Sequence, residues 1–139
     1  MNVVFFTDRD LGKQFPDSLR AAGCRVERHA DHFAPTASDE SWLAHVGRTG
    51  WCAVTHDARI RYKPNELAAV ERYRVRLLVV VGKAPLPQLA IHFVKTLPRI
   101  HAFLKQHEPP FIAKLYRPTP SALVTDPDAP GSVELWYPR

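Results

Sequence analysis

Four short apolar segments, Asn2 to Thr7, Cys24 to His29, Trp51 to Thr55 and Arg76 to Val81, alternate with stretches whose apolar residues recur at helical spacing. This alternation restricts the chain more than any other feature. Strands separated by helices and short connections build a parallel sheet covered on both faces, with right-handed crossovers. The first helical pattern carries Leu11, Phe15, Leu19 and Ala22 and closes at Gly23. Ser38 offers an N-cap with Asp39 and Glu40 in the first turn of a second helix reaching about Gly47, whose inward stripe is Trp42, Leu43 and Val46. A third helix is expected over Asn65 to Arg74. The fourth strand holds five consecutive apolar residues before Gly82, as a doubly covered strand requires. A fourth helix runs from Pro87 to about Lys105, with Pro87 in its first turn and a kink or break near Pro98.

The remainder differs. Seven of the 13 prolines follow Glu108, between β-rich runs at Phe111 to Tyr116, Ala122 to Thr125 and Val133 to Tyr137. Asp126 to Gly131 reads as a turn joining the last two runs. The expected organisation is an α/β domain over 1–108 and an appended proline-rich hairpin or tail over 109–139. Trp136 and Tyr137 leave two readings open: an exposed aromatic patch for a second subunit or another protein, or packing of the hairpin.

At 139 residues the chain can bury a core without staples. No apolar run approaches the roughly 20 residues of a membrane span, and the start lacks the pattern of a secretory signal, so a cytoplasmic address is expected. Cys24 and Cys52 belong to no Cys-x-x-Cys pair and read as buried reduced thiols. A net charge of +5 favours an anionic partner without naming one.

Ligands of an open parallel sheet bind beyond the carboxyl ends of the strands. Asp8 lies just past the first strand, Asp57 just past the third, and Asp39 opens the helix between the second and third, so all three can face one crevice. Two unpaired carboxylates about 5 Å apart repel by roughly 3 kcal/mol at an effective dielectric near 20, a conflict that a hard divalent cation such as Mg²⁺ or Mn²⁺ removes. A phosphodiester is the natural co-ligand of such an ion. In the simpler alternative each acid acts only locally, Asp8 and Asp39 at helix starts and Asp57 in an Asx-turn. The concurrence of three on one face favours the metal site, with Glu40 able to substitute for Asp39.

The elements Phe5-Phe6-Thr7-Asp8, Ala37-Ser38-Asp39-Glu40-Ser41-Trp42 and Val54-Thr55-His56-Asp57-Ala58-Arg59 resemble the three acidic motifs of PIN-like ribonuclease domains, most closely the compact VapC-type toxin branch, over residues 1 to about 105. The resemblance implies a three-layer α/β/α sandwich, metal-dependent endoribonuclease activity through Asp8, Asp39 and Asp57, and an antitoxin protein as partner. Many such domains carry a fourth acid after the third motif, where this chain offers only Asn65 and Glu66.

Between Arg59 and Arg76 six basic residues face two acids. Arg59, Arg61 and Lys63, directly after Asp57, are placed to meet phosphates of single-stranded or structured RNA, and Tyr62 to stack on an unpaired base. For Arg72, Arg74 and Arg76 a solvated helix face is the better reading. His56 can ligate metal, carry a proton or bond backbone. His29 and His32 read as a solvent-exposed loop pair. The rival to a nuclease is a catalytically inactive module of the same fold that binds RNA or protein.

Overall fold

The computed structural model describes residues 2–138, the side chain of Arg61 excepted. Six strands form one sheet in the order β2-β1-β3-β4-β5-β6. They are β1 (Val4–Thr7), β2 (Arg25–Arg28), β3 (Cys52–Thr55), β4 (Arg76–Val80), β5 (Phe111–Tyr116) and β6 (Ser132–Tyr137). The first five are parallel, and β6 runs antiparallel to β5. The helices are α1 (Gln14–Ala21), α2 (Asp39–Thr49), α3 (Pro64–Arg72), α4 (Leu86–Gln106) and α5 (Pro120–Thr125).

The two-residue period of the strands sorts the core into two layers. Phe5, Val54, Leu78 and Val80 join α1 and α4 through Phe15, Leu19, Leu89 and Phe93. Phe6, Ala53, Leu77 and Val79 join α2 and α3 through Trp42, Val46 and Val70. The result is the α/β/α sandwich expected from the alternation. Consecutive residues Phe5 and Phe6 thus serve opposite faces, which is why β1 has to be apolar throughout. Trp42 and Phe15 are fully buried, as expected of core residues.

Several expectations need correction. The first helix does not start at Leu11: Arg9–Leu11 forms a 3-10 turn, and Gly12, at φ 69°, separates it from α1. Pro98 lies inside α4, which continues from Leu86 to Gln106. Ala122 to Thr125 is helical rather than β, because Thr119 caps α5 by accepting from the Ala122 amide at 3.2 Å and Pro120 occupies its first turn. The C-terminal hairpin therefore pairs β5 with β6, and β5 extends the main sheet beside β4. Trp136 packs against the α2–α3 layer with the Lys114 ammonium 3.9 Å from its ring centroid, and the Tyr137 hydroxyl donates to Glu71.

The order β2-β1-β3 means that the chain leaves β1 in one direction and returns past it to β3. This is a topological switch point, where connections depart to opposite sides and open a crevice at the carboxyl ends of β1 and β3. No helix of the described residues is long and apolar enough to cross a membrane. Cys24 and Cys52 are free, Cys24 half-buried and Cys52 buried, and burial pushes the Cys52 thiol up to about 12.

Candidate functional site: an acidic crevice at the switch point

The crevice is an open cleft of about 540 Å³ lined by Asp8, Asp10, Asp39, Asp57, His29, His56 and Arg59, among others. Its acids come from three elements. The Asp8 amide donates to Val54 O at 2.9 Å, which prolongs the β1–β3 ladder by one step and fixes Asp8 over β3. Asp8 also caps the 3-10 turn, its carboxylate accepting from the Arg9 amide at 2.7 Å. That turn brings Asp10 back over the end of β3.

Thr55, the last residue of β3 and fully buried, ties the two carboxylates together. Its Oγ1 lies 2.9 Å from Asp8 Oδ2 and 3.2 Å from Asp10 Oδ2. One hydroxyl proton serves both acceptors, so neither carboxylate receives a full hydrogen bond from it. The His56 amide donates to Asp10 Oδ2 at 3.1 Å. Although Asp10 is exposed as a residue, desolvation of its carboxyl and the adjacent Asp8 charge push its pKa up to about 6. Burial raises Asp8 as well, against the opposing bonds from Thr55 and the Arg9 amide. No lysine or arginine among the described residues forms an ion pair with either.

The other side of the cleft is already compensated. Lys63 Nζ stands 2.9 Å from Asp57 Oδ2 and 3.7 Å from Asp39 Oδ2. Arg59 donates to Asp57 Oδ1 through its amide at 3.0 Å and its Nε at 3.3 Å. Burial pushes the Asp57 carboxyl up, but the bonds from Lys63 and Arg59 outweigh it and hold the carboxyl below its ordinary value. Asp39 accepts from Trp42 Nε1 at 2.9 Å, one helical turn further into α2.

The three acids expected from sequence thus reach one cleft, but not as one ligand trio. No group of three His, Cys, Asp or Glu side chains among the described residues is drawn close enough to hold a metal ion. Between Asp39 and Asp57 stands the Lys63 ammonium instead. Glu40 belongs elsewhere: it lines the groove between α2 and α3 with Ser38, Ser41 and Asn65, so Asp39 is the acid of α2 that faces the cleft. The fourth acid of the cleft is Asp10, not Asn65 or Glu66. Its signal was the spacing in Thr7-Asp8-Arg9-Asp10, two acids two residues apart at a strand end.

Of the basic residues, Arg59 lines the cleft with a side chain that is 81% exposed. Lys63 is turned to carboxylates rather than outward. Tyr62 is exposed and meets Trp136 edge to face at 5.7 Å between centroids. The side chain of Arg61 lies outside the described residues. His56 donates its Nε2–H to Gly82 O at 2.7 Å, which leaves Nδ1 as the nitrogen with a lone pair. His29 is not the exposed loop residue expected: it is 3% exposed, lines the cleft, and burial lowers its pKa, so at neutral pH it is an uncharged imidazole. His32 is exposed, as expected, and bonded to Glu27 at 3.1 Å.

The donor set on the Asp8–Asp10 side fits a hard divalent cation. Two carboxylates of raised pKa share the Thr55 donor, form no ion pair with a described lysine or arginine and line an open cleft, so an ion bound there would relieve both their repulsion and their desolvation cost.

Carboxylates are thus gathered beyond the carboxyl ends of the parallel strands, beside the exposed side chain of Arg59. Residues 3–82, which include β1 through β4 and all four acids, match the family model described as a PIN like domain, and the chain belongs to that family. PIN-like domains are generally nucleases, hydrolases that typically use divalent metals. No curated protein and no solved structure gives a significant match to the chain.

Proposed function

We propose that the protein is a metal-dependent endoribonuclease that uses Mg²⁺ or Mn²⁺ bound from the Asp8–Asp10 side of the crevice. The observation that carries this reading is the pair of carboxylates under Thr55, uncompensated by any described lysine or arginine at a switch point where the fold binds ligands. Asp39 and Asp57 form the opposite wall. When bound, the cation supplies charge neutralisation at the scissile phosphodiester and lowers the pKa of water.

The chain's own groups supply the rest. Arg59, anchored by its Nε to Asp57, orients a phosphate with the guanidinium edge that remains exposed. Lys63 holds Asp39 and Asp57 at fixed separation and meets part of the negative field that would repel the substrate. His56, with Nε2–H spent on Gly82, has Nδ1 available to accept a proton. Thr55 fixes the orientation of Asp8 and Asp10. No protein nucleophile is required.

The resemblance to the compact toxin branch makes a type II toxin the narrower reading, with a cognate antitoxin as protein partner and RNA as target. The two free cysteines accord with a reducing cytoplasmic setting. A second reading, a non-catalytic module that binds RNA or protein, is favoured by one observation: Lys63 already neutralises two of the acids that a full two-metal site would need.

Cleavage of single-stranded RNA by purified protein in Mn²⁺ or Mg²⁺, and its loss in EDTA, separates the readings. Metal-dependent cutting supports the nuclease. RNA binding unaffected by chelator, with no cutting across diverse RNAs, supports the module.

A further inference from the structure

The carboxyl ends of β4 and β5 open a second cavity, of about 400 Å³, which the acidic crevice does not include. Gly82, His92, Tyr116, Arg117, Pro118 and Leu123 line it. Its chemistry is the reverse of the crevice: no acid contributes to the wall, and Arg117, exposed as a residue, brings a guanidinium that has no ion pair among the described residues.

Gly82 makes room for that guanidinium. A Cβ at this position would stand 3.1 Å from Arg117 Nε and 3.3 Å from Nη2, and the backbone sits at φ 124°, which side chains rarely adopt. The same residue gives its carbonyl to His56 of the acidic crevice at 2.7 Å. A single residue therefore joins the two cavities. Burial, with smaller effects of the Lys95 and Arg117 charges, lowers the His92 pKa, and its Nδ1 has no hydrogen-bond partner among the described residues.

A guanidinium beside a wall of tyrosine, proline and leucine suits a ligand with a phosphate at one end and a flat ring at the other. The pair β4–β5 follows β1–β3 in the sheet, so the cavities lie on the same edge about two strand spacings, or ~10 Å, apart. A single strand laid across the acids reaches the second cavity with a neighbouring nucleotide.

We propose that the Arg117 cavity is a nucleotide subsite for single-stranded RNA, taking a phosphate of the strand against Arg117 and the attached base against Tyr116, Pro118 and Leu123. It rests on the ribonuclease reading for its polymer, but binding here needs neither metal nor catalysis.

The test measures binding of a short fluorescein-labelled oligouridine in EDTA by anisotropy over a salt series, for wild type and Arg117→Met. The exposed position of Arg117 makes a folding defect from this change unexpected, and a melting curve checks it. The variant should bind roughly tenfold more weakly, with a log-log salt slope smaller by about 0.7 for the lost phosphate contact. Equal affinity and equal slope in the two proteins would overturn the subsite. Uridine monophosphate and inorganic phosphate serve as competitors: stronger displacement by the nucleotide supports the base wall, and equal displacement overturns it. Cleavage in Mn²⁺ is scored separately. Weaker binding by Arg117→Met in a protein that cuts nothing would uphold the subsite while the nuclease reading fails, and unchanged binding in an active enzyme would do the opposite.

Discussion

Lys63 Nζ lies 2.9 Å from Asp57 Oδ2, so an ammonium occupies the position between Asp57 and Asp39 that a cation would otherwise take. Both partners respond in the expected sense: the hydrogen bond to Asp57 raises the lysine pKa, and the same bond helps hold the aspartate below its ordinary value. Removing the ammonium without removing volume exposes the competition. Lys63→Met should tighten Mn²⁺ binding by roughly tenfold in calorimetric titration, while costing the metal-free protein about 1 kcal/mol at pH 7, since both side chains retain solvent contact. Unchanged Mn²⁺ affinity would mean that Lys63 and the ion do not compete.

Asp10 has the opposite electrostatic status. Its folded pKa of about 6 exceeds the roughly 3.9 of an unfolded aspartate, so the folded state binds more protons between these values and stability falls as pH rises through that window. His29 and His92, whose pKa values are lowered by burial, act in the reverse sense, with stability lost as pH falls below the roughly 6.5 of a free imidazole, and Asp57 contributes stability that is lost only as pH falls below about 4. A difference measurement isolates Asp10. Metal-free Asp10→Asn should exceed wild type in stability by up to about 1 kcal/mol at pH 7.5 after allowance for solvent, with the gap closing by pH 4. Denaturant unfolding at the two pH values checks it, and a gap independent of pH would refute the assignment.

Trp42 connects the core to the site. It is fully buried against Phe6, and its Nε1 donates to Asp39. Trp42→Phe preserves much of the packing but leaves Asp39 without its donor. The expected loss is about 1–2 kcal/mol in urea unfolding, against about 3–5 kcal/mol for Trp42→Ala. No loss in Trp42→Phe, beside the large loss in Trp42→Ala, would show that the indole bond contributes nothing.

Gly47 permits the close crossing of α2 and α3. A Cβ there would lie 2.2 Å from Tyr73 O, a backbone atom that cannot swing aside. Gly47→Ala is therefore expected to destabilise by about 2 kcal/mol or more despite the better helix propensity of alanine. An unchanged or raised melting temperature would contradict this packing.

The sheet was legible because its strands carry their own periodicity: Leu77 to Val80 alternate between two covered faces, and only an apolar run satisfies both. Asp8 and Asp57 were legible for a related reason, as residues directly past parallel strands that flank a switch point. Ala122 to Thr125 misled because β-branched residues outweighed the Thr119-Pro120 start signal, which is local and short. Asp10 escaped notice because its place depends on a 3-10 turn ended by Gly12, and Lys63 because the direction of a long side chain is decided by partners distant in sequence. His29 looked like a loop residue beside His32, yet the aromatic layer of Phe6 and Phe33 encloses it.

The measurement closest to the central claim is the rate of RNA cleavage in saturating Mn²⁺ by wild type, Asp8→Asn, Asp10→Asn and Glu40→Gln, with folding of each verified by its melting curve. Loss of about a hundredfold or more in both aspartate variants, with Glu40→Gln near wild type, is the result expected if the Asp8–Asp10 pair holds the ion. Activity retained in Asp8→Asn and Asp10→Asn, or lost equally in Glu40→Gln, would place the chemistry elsewhere and contradict the account.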